Sequence, residues 1–323
     1  MRQGLVAALA ALLLATPAAR AQDYPAGPVR LVVPLGAGGA MDTLARALAG
    51  KLQDRLGKPF VVENITGGGT LIAAQTVAKA APDGQTLLIA PSGLLTTNLA
   101  LFKQLPYDPR ADFAPVSHYV EIAFVLVVNA ALPVHSIADL VKLAKEKPGQ
   151  ITYASTGLGQ VPHLAGELLA RQTGTELAHV PYRGAPQALL DVVAGHVSMT
   201  FADPSVAGQL IAEGKIRALG VSSKIRVPAL PDVPPLAEAG LPGFEAVSWH
   251  MLLAPAATPK PVVAKLHDEI ALALVAPGMG EQLTRMGLTP VKSESVEDLP
   301  AFLRKEIERW GAIVTQAGIA GTQ

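Results

Sequence analysis

The chain has 323 residues, half of them apolar and only 16% charged, so it is too apolar for a disordered protein and long enough for one large domain or two lobes. Lysine plus arginine equals aspartate plus glutamate at 26 each, a balance that gives no strong field to attract nucleic acid or anionic lipid. The sequence has no cysteine, which excludes disulfides, thiolate catalysis and cysteine-based metal sites.

The N-terminal segment has the pattern of an export signal. Arg2 precedes an apolar run at 5–15 that contains only Ala, Leu and Val, and Ala19 and Ala21 are small residues at the positions that a signal peptidase reads. The run is shorter than the roughly 20 residues that a membrane-spanning helix needs. We therefore predict that residues 1–21 are removed and that the mature chain is exported; the alternative is a buried N-terminal helix.

Strand-like and helix-like segments alternate along the rest of the chain. Strands are predicted at 29–35, 60–62, 86–90, 124–128, 151–154, 179–182, 197–201 and 217–221. Helices are predicted at 41–56, from about 70 to 81, at 136–147, at 262–275 and at 296–316. A strand–helix–strand–helix–strand pattern occurs twice, beginning at Val29 and at Ile151, and it predicts parallel sheets with helices on both faces.

Four segments of the chain lie at the strand ends where open α/β sheets bind their ligands. Ligands bind beyond the carboxyl ends of the strands, where the strand order reverses, which in the common order lies between the first and third strands. In the first half of the chain these ends are 36–42 and Ser92, and in the second half they are 155–159 and 201–203. Two lobes that face each other would place all four segments in one cleft.

The first segment is a glycine-rich loop, Gly36-Ala37-Gly38-Gly39, which leads into a helix. Glycine lets a ligand approach the backbone, and the free N–H groups of a helix start favour an anion. The loop matches neither the dinucleotide-binding nor the P-loop pattern. Asp42 begins the helix, where it is either a helix cap or a polar cleft residue.

The corresponding segment of the second half contains Ser155, Thr156 and Gly157 and precedes a helix that we predict to begin near Pro162. His163 lies in the first turn of that helix, and one histidine with Glu167 four residues later is a poor metal signature, so no metal is predicted. Arg183 follows a strand end, where an arginine could clamp a carboxylate, but it lies away from the predicted reversal of strand order, which favours a hinge or surface role. No nucleophile–base set is evident.

Ten short motifs occur in an order and at spacings that resemble the extracytoplasmic solute receptors of tripartite tricarboxylate transporters, the Bug family. They are YP at 24–25, AGGxxD at 37–42, VEN at 62–64, APDG at 81–84, LPYDP at 105–109, YAS at 153–155, HLAGE at 163–167, VPYRG at 180–184, LPDVP at 230–234 and AGLPGF at 239–244. The resemblance covers almost the whole mature chain.

The resemblance implies a two-lobed periplasmic binding protein of the Venus-flytrap type II class, each lobe a doubly wound, mainly parallel sheet with helices on both faces. Lobe 1 would comprise 22–124 and 252–323, lobe 2 would comprise 125–251, and the chain would cross near 124–128 and 248–253. The ligand would be a small carboxylated compound: a di- or tricarboxylate, an aromatic acid or an amino acid. The partner would be the membrane permease subunits or a sensor protein. A monomer without cofactor or enzymatic activity is expected; the alternatives are an exported enzyme acting on a small acid, or a sensory co-receptor.

The candidate ligand-binding residues combine the predicted strand ends with the positions that match the family. They are Gly36, Ala37, Gly38, Gly39, Asp42, Ser92, Ser155, Thr156, Gly157, His163, Ala202 and Asp203. The chain departs from the family at three places. Leu35 and Gly36 replace an aromatic residue and a proline, the segment 201–204 lacks the frequent Asp-Asn form, and His250 follows Trp249 where the family commonly has an aromatic residue.

Overall fold

The computed structural model describes residues 24–182 and 184–323; the predicted export signal at 1–21 and the prediction for Arg183 lie outside the described residues. The described chain forms two sheets. The first has the strand order β11-β4-β10-β3-β1-β2 and the second the order β7-β6-β8-β5-β9. The α/β architecture expected from the alternating pattern is confirmed.

The strands of the first sheet are β1 (Val29–Val33), β2 (Phe60–Asn64), β3 (Thr86–Pro91), β4 (Phe113–Ile122), β10 (Ser248–Pro255) and β11 (Leu288–Pro290). Those of the second are β5 (Val125–Asn129), β6 (Ile151–Ser155), β7 (Leu177–Pro181), β8 (Met199–Ala202) and β9 (Ile216–Val221). The helices are α1 (Ala40–Leu56), α2 (Leu71–Ala78), α3 (Ser92–Leu95), α4 (Thr97–Leu101), α5 (Ile137–Glu146), α6 (Val161–Thr173), α7 (Ala185–Ala194), α8 (Pro204–Ala212), α9 (Lys260–Leu274), α10 (Met279–Arg285) and α11 (Leu299–Gln316).

Both sheets are mixed, whereas the sequence predicted mainly parallel ones. In the first sheet β1 pairs in parallel with β2 and β3, but β10 runs antiparallel to β3 and β4, and β11 is antiparallel to β4. In the second sheet β6 pairs in parallel with β7 and β8, but β5 runs antiparallel to β8 and β9. The reason is that β5 and β10 are the strands by which the chain enters each sheet from the other one, and each is inserted against the direction of its neighbours.

Two crossings connect the sheets, and Ser222 joins them. Its amide donates to the Phe124 carbonyl (2.7 Å) and its hydroxyl accepts from the Phe124 amide (2.9 Å). The same hydroxyl donates to the Ala246 carbonyl (2.7 Å), and the Ala246 amide donates back to Ser222 (2.9 Å). Residues 248–251, assigned to lobe 2 from the sequence, pair with β3 and β4, so the chain has re-entered the first sheet by Ser248.

Each sheet is covered on both faces, and the C-terminal helix connects the two halves. The helix α1 buries Met41, Leu44, Leu48 and Leu52, which lie on one helical face, against the first sheet. The helix α11 is long enough to serve both halves: its start packs in the core of the first sheet, whereas Trp310 and its neighbours pack in the core of the second. None of the helices in the described part of the chain is both long and apolar enough to span a bilayer.

Candidate ligand-binding cleft

The strand orders place the candidate loops where the sequence predicted them. In the first sheet β1 lies between β2 and β3, and in the second β6 lies between β7 and β8, so both reversals fall between the first and third strands of a strand–helix–strand–helix–strand unit. Contacts between the two halves occur beside the site. A side chain at Gly159 would overlap Leu101 of α4, and one at Gly287 would lie 2.9 Å from Oδ1 of Asp203.

The first loop is fixed from within by Asp42. This residue is 3% exposed, and its Oδ2 accepts a hydrogen bond from the Gly38 amide (2.9 Å). One turn later, Arg46 pairs with both carboxylate oxygens of Asp42 (2.9 and 3.0 Å) and donates to Asn64 (3.1 Å). The guanidinium and the Gly38 amide hold the pKa of Asp42 at about 2. Both sequence interpretations of Asp42 placed it at the helix start; its carboxylate is engaged there by the protein's own donors.

The remaining donors of this loop are backbone amides. Residues 36–40 are exposed, and the first residues of α1 have no intrahelical acceptor for their N–H groups. Gly38 has a φ of 82°, in the left-handed region that favours glycine. A Cβ added there would meet no protein atom within 4 Å. A side chain at this position would therefore strain the backbone and project into the open space at the loop.

Ser92 lies at the end of β3 and forms a pair that the sequence did not reveal. It is 1% exposed, and its hydroxyl lies 3.1 Å from the hydroxyl of Ser248, the first residue of β10. Because β10 runs antiparallel to β3, its start lies beside the end of β3. One hydroxyl of the pair donates to the other, and the acceptor retains a proton that it can donate elsewhere.

Ser155 ends β6 and is bound to His179 of β7. The Ser155 Oγ lies 2.6 Å from Nε2 of His179 and accepts from the Gly157 amide (3.1 Å). These two residues are diagonal neighbours on one face of the sheet, since Tyr153 pairs with His179 and Ser155 with Pro181. Ser155 is 1% exposed, so its hydroxyl shapes the loop from beneath.

A second histidine holds the other end of that loop. The Nδ1 of His163 accepts from the Gly159 amide (3.1 Å), and its ring lies on the ring of His179 with 4.1 Å between the centroids. Burial lowers the pKa of His163 to about 4; burial and the adjacent His163 lower the pKa of His179 to about 4. Both rings are therefore neutral at pH 7, when Nδ1 of His163 and Nε2 of His179 can act as acceptors.

Tyr153 packs against the histidine pair and forms a further polar contact in the core. The Tyr153 hydroxyl donates to Glu167, and Tyr153 lies against His179 with 5.0 Å between the ring centroids. Gly166 of α6 faces this ring, and a Cβ at that position would overlap it. The residues from β6, β7 and α6 thus form one buried support beneath the loop at 155–159.

A pocket opens at the carboxyl ends of β6 and β8. It encloses about 320 Å³ together with its open mouth, and four of the candidate residues line it: Ser155, Thr156, Ala202 and Asp203. Asp203 caps α8, because its Oδ1 accepts from the Ser205 amide (2.9 Å) and hydroxyl (2.7 Å). Burial raises the pKa of Asp203 above its ordinary value. The start of α8 is therefore already occupied by a carboxylate of the protein.

Three residues of this region were missed from the sequence. Arg46 could have been found, because it stands four residues after Asp42 on a predicted helix. His179 and Ser248 depend on the pairing of strands that the sequence does not specify. Across the described ranges 24–182 and 184–323, no group of three or more metal-ligating side chains is positioned to hold an ion.

The comparisons with known proteins agree on one family. Residues 44–319 match the model described as the tripartite tricarboxylate transporter family receptor. Among solved structures, the chain is similar to periplasmic binding protein BugD, with 34% identity, a TM-score of 0.79, and coverage of 92% of this chain and 99% of that chain.

Two similar structures contain a bound acid. R. palustris Rpa4515 with adipate shares 36% identity at a TM-score of 0.82, covering 92% of this chain and 99% of that chain. MatC from Rhodopseudomonas palustris with bound malate shares 34% identity at a TM-score of 0.78, covering 90% of this chain and all of that chain. These likenesses bear out the two-lobed binding-protein fold expected from the sequence motifs.

Proposed function

Because the chain belongs to the tripartite tricarboxylate transporter receptor family, we propose that it captures a small carboxylate in the cleft between its two sheets and delivers it to membrane permease subunits. The twelve candidate residues form the proposed site. The division into two lobes, one around each sheet with Ser222 between them, is part of this proposal. The adipate and malate structures of relatives support a carboxylate as the ligand class.

The observation that carries the proposal is the kind of donor at the two strand-order reversals. The loops at 36–42 and 155–159 contain no lysine or arginine, and each leads into the N-terminus of a long helix, α1 or α6. Backbone N–H groups at such starts stabilise an anion through hydrogen bonds and the helix dipole. A carboxylate that leaves water there can recover hydrogen bonds without a charged partner.

The side chains that hold each carboxyl-end loop in place add no net positive charge to it. In the first, Asp42 is turned onto Gly38 and Arg46, so α1 keeps the free amides of its first two residues for a ligand. In the second, the loop is held by His163 and His179, which are neutral and do not add a positive charge at pH 7. We propose that backbone dipoles and ordered waters at both loops stabilise the negative charge of the ligand.

Among the residues that the structure describes, the Ser155–His179 hydrogen bond is the feature that favours an enzyme, because serine and histidine form the nucleophile–base pair of many hydrolases. Two observations argue against that function. The Ser155 Oγ accepts from the Gly157 amide, which reduces its nucleophilicity, and the same hydroxyl lies 3.2 Å from the Gly157 carbonyl, an acceptor that competes with His179 for its proton. The matched family consists of receptors.

Export and the choice of partner complete the proposal. We propose that the mature chain begins at Gln22 and acts in the periplasm as a monomer, as its relative BugD is a periplasmic binding protein. Intact mass of protein recovered from the periplasm tests the cleavage: retention of Met1 would contradict it. A sensor protein is the alternative partner to the permease.

A thermal-shift screen followed by recovery of the ligand tests the proposed function. A ligand that binds only the folded chain raises its stability by about 2.7 kcal/mol at a hundredfold excess over Kd. We expect hits among carboxylates and recovery of each hit unchanged in mass after prolonged incubation. Hits confined to sugars or cations would contradict a carboxylate site, and conversion of the ligand would favour the enzyme.

A further inference from the structure

The pocket in the second sheet has a largely apolar wall. Of the eleven residues that line it, seven are apolar, including Leu189, Phe201 and Val206. Val206, in the first turn of α8, is 47% exposed. Leu158, in the loop at 155–159, is 42% exposed, and Leu35, directly before the loop at 36–42, is 44% exposed. Apolar side chains thus accompany the amide donors on both sides of the proposed site.

Three of the four polar residues in the lining are already engaged in hydrogen bonds within the protein. Ser155 is bound to His179 and Gly157. The Thr200 hydroxyl donates to the Ala154 carbonyl (2.9 Å), and Thr200 is 4% exposed. Asp203 uses Oδ1 to cap α8, and its carboxylate repels an anionic ligand. Within the described residues, Thr156 is the one polar side chain of the lining whose hydroxyl forms no hydrogen bond.

We propose that this cleft selects carboxylates with an apolar body over hydroxylated carboxylates of the same length and charge. The inference rests on the proposed function and names the ligand class of the same site. The carboxylates meet the backbone amides, while the carbon skeleton between or beside them lies against the wall that includes Leu189, Phe201 and Val206. A hydroxyl group on that skeleton leaves water and finds an apolar surface, and an unsatisfied buried hydroxyl lowers affinity.

Calorimetric titration of three matched pairs tests the preference. The pairs are succinate and tartrate, adipate and galactarate, and cyclohexanecarboxylate and quinate; within each pair, the charge and the carbon skeleton are equal and only the hydroxyl count differs. We expect at least one unsubstituted acid to bind, about 10- to 100-fold more tightly than its hydroxylated partner. Equal or tighter binding of the hydroxylated member would overturn the proposal while leaving a carboxylate receptor intact. If none of the six binds, the preference is overturned, whereas the proposed function is decided separately by the carboxylate screen.

An isosteric substitution tests whether the apolar wall of the pocket causes the preference for unsubstituted acids. Val206→Thr keeps the shape of the side chain and replaces one methyl with a hydroxyl in the pocket lining. We expect the preference within the bound pair to fall about three- to tenfold, mainly through weaker binding of the unsubstituted acid. The control is Val275→Thr, the same change at a residue that is 80% exposed at the end of α9 in the other half. A preference unchanged by Val206→Thr, or reduced equally by Val275→Thr, would overturn the assignment.

Discussion

Replacing His179 tests whether the loop at 155–159 is held from beneath. His179→Phe keeps an aromatic ring next to His163 and Tyr153 but removes the acceptor for the Ser155 hydroxyl, which lies 2.6 Å from Nε2. His179→Gln is the matched control, because a side-chain amide oxygen can accept the same hydrogen bond. Ser155→Ala removes the hydroxyl itself, and the double variant Ser155→Ala/His179→Phe completes a cycle.

The structure sets the size of the effect. Ser155 is 1% exposed, so without His179 its hydroxyl must turn to the weaker acceptor at the Gly157 carbonyl, 3.2 Å away. A buried donor left without a good partner costs about 1–3 kcal/mol, and the alternative acceptor favours the lower end of that range. The coupling between the two positions should be about 0.5–1.5 kcal/mol, with the double variant less destabilised than the sum of the single variants.

Urea unfolding of the four proteins measures this coupling, and titration with the best ligand of the screen measures its effect on the site. We expect His179→Gln to retain most of the stability and affinity that His179→Phe loses. Additive single effects, within about 0.3–0.5 kcal/mol, would refute the hydrogen bond as the link between the two residues. So would equal losses in His179→Phe and His179→Gln.

Three other changes follow from the same packing. Gly166→Ala places a Cβ against the Tyr153 ring and should lower the free energy of unfolding by about 1–3 kcal/mol. Its control, Gly50→Ala, adds a Cβ with no atom within 4 Å and should be neutral or stabilising. Thermal unfolding of the two variants measures the difference. Burial lowers the pKa of His163 to about 4, so between pH 6.5 and 4 the unfolded chain binds the proton more readily than the folded chain. The contribution of His163 to the free energy of unfolding is therefore complete above pH 6.5 and falls by up to about 3 kcal/mol as the pH drops to 4. His163→Asn, which keeps an acceptor for the loop, should flatten that part of the profile, and an unchanged profile would contradict the assignment. Glu306 accepts from both indole groups of the protein (2.9 and 3.1 Å), so Glu306→Leu should shift the tryptophan emission and lower stability by about 2 kcal/mol or more, and Glu306→Gln should do much less.

The parts of the fold that the sequence predicted are those that local patterns determine. The apolar run before Gly36 and the helical periodicity after Gly39 place a strand, a loop and a helix without reference to the rest of the chain. Strand β4 was missed because Pro115, Ser117 and His118 interrupt its apolar pattern, although pairing with β10 and β11 makes it the longest strand of the first sheet. Its ladder partners lie more than a hundred residues away, where no local pattern can indicate them.

In the candidate site, too, local patterns predict the loops, whereas the long-range contacts that hold the loops could not be predicted. The loops at 36–42 and 155–159 were predicted from glycine and hydroxyl residues at strand ends, but the partners that fix them were not. The bond from Ser155 to His179 requires the register of β6 on β7, and that from Ser92 to Ser248 joins residues 156 positions apart. The sequence indicates that Asp42 is either a helix cap or a polar cleft residue; the structure adds the Arg46 ion pair, which decides how its carboxylate is oriented.

Calorimetric titration with an acid and its uncharged amide tests the central claim most directly. The acid is the tightest-binding of the six in the matched pairs, and its amide keeps the skeleton but removes the negative charge. If two helix starts and neutral side chains recognise a carboxylate, the acid should bind at one per chain and the amide at least about 100-fold more weakly, since hydrogen bonds to a charged group contribute about 1.5–3 kcal/mol each. Equal affinity for the acid and its amide would contradict the account, because the cleft would then recognise the skeleton alone.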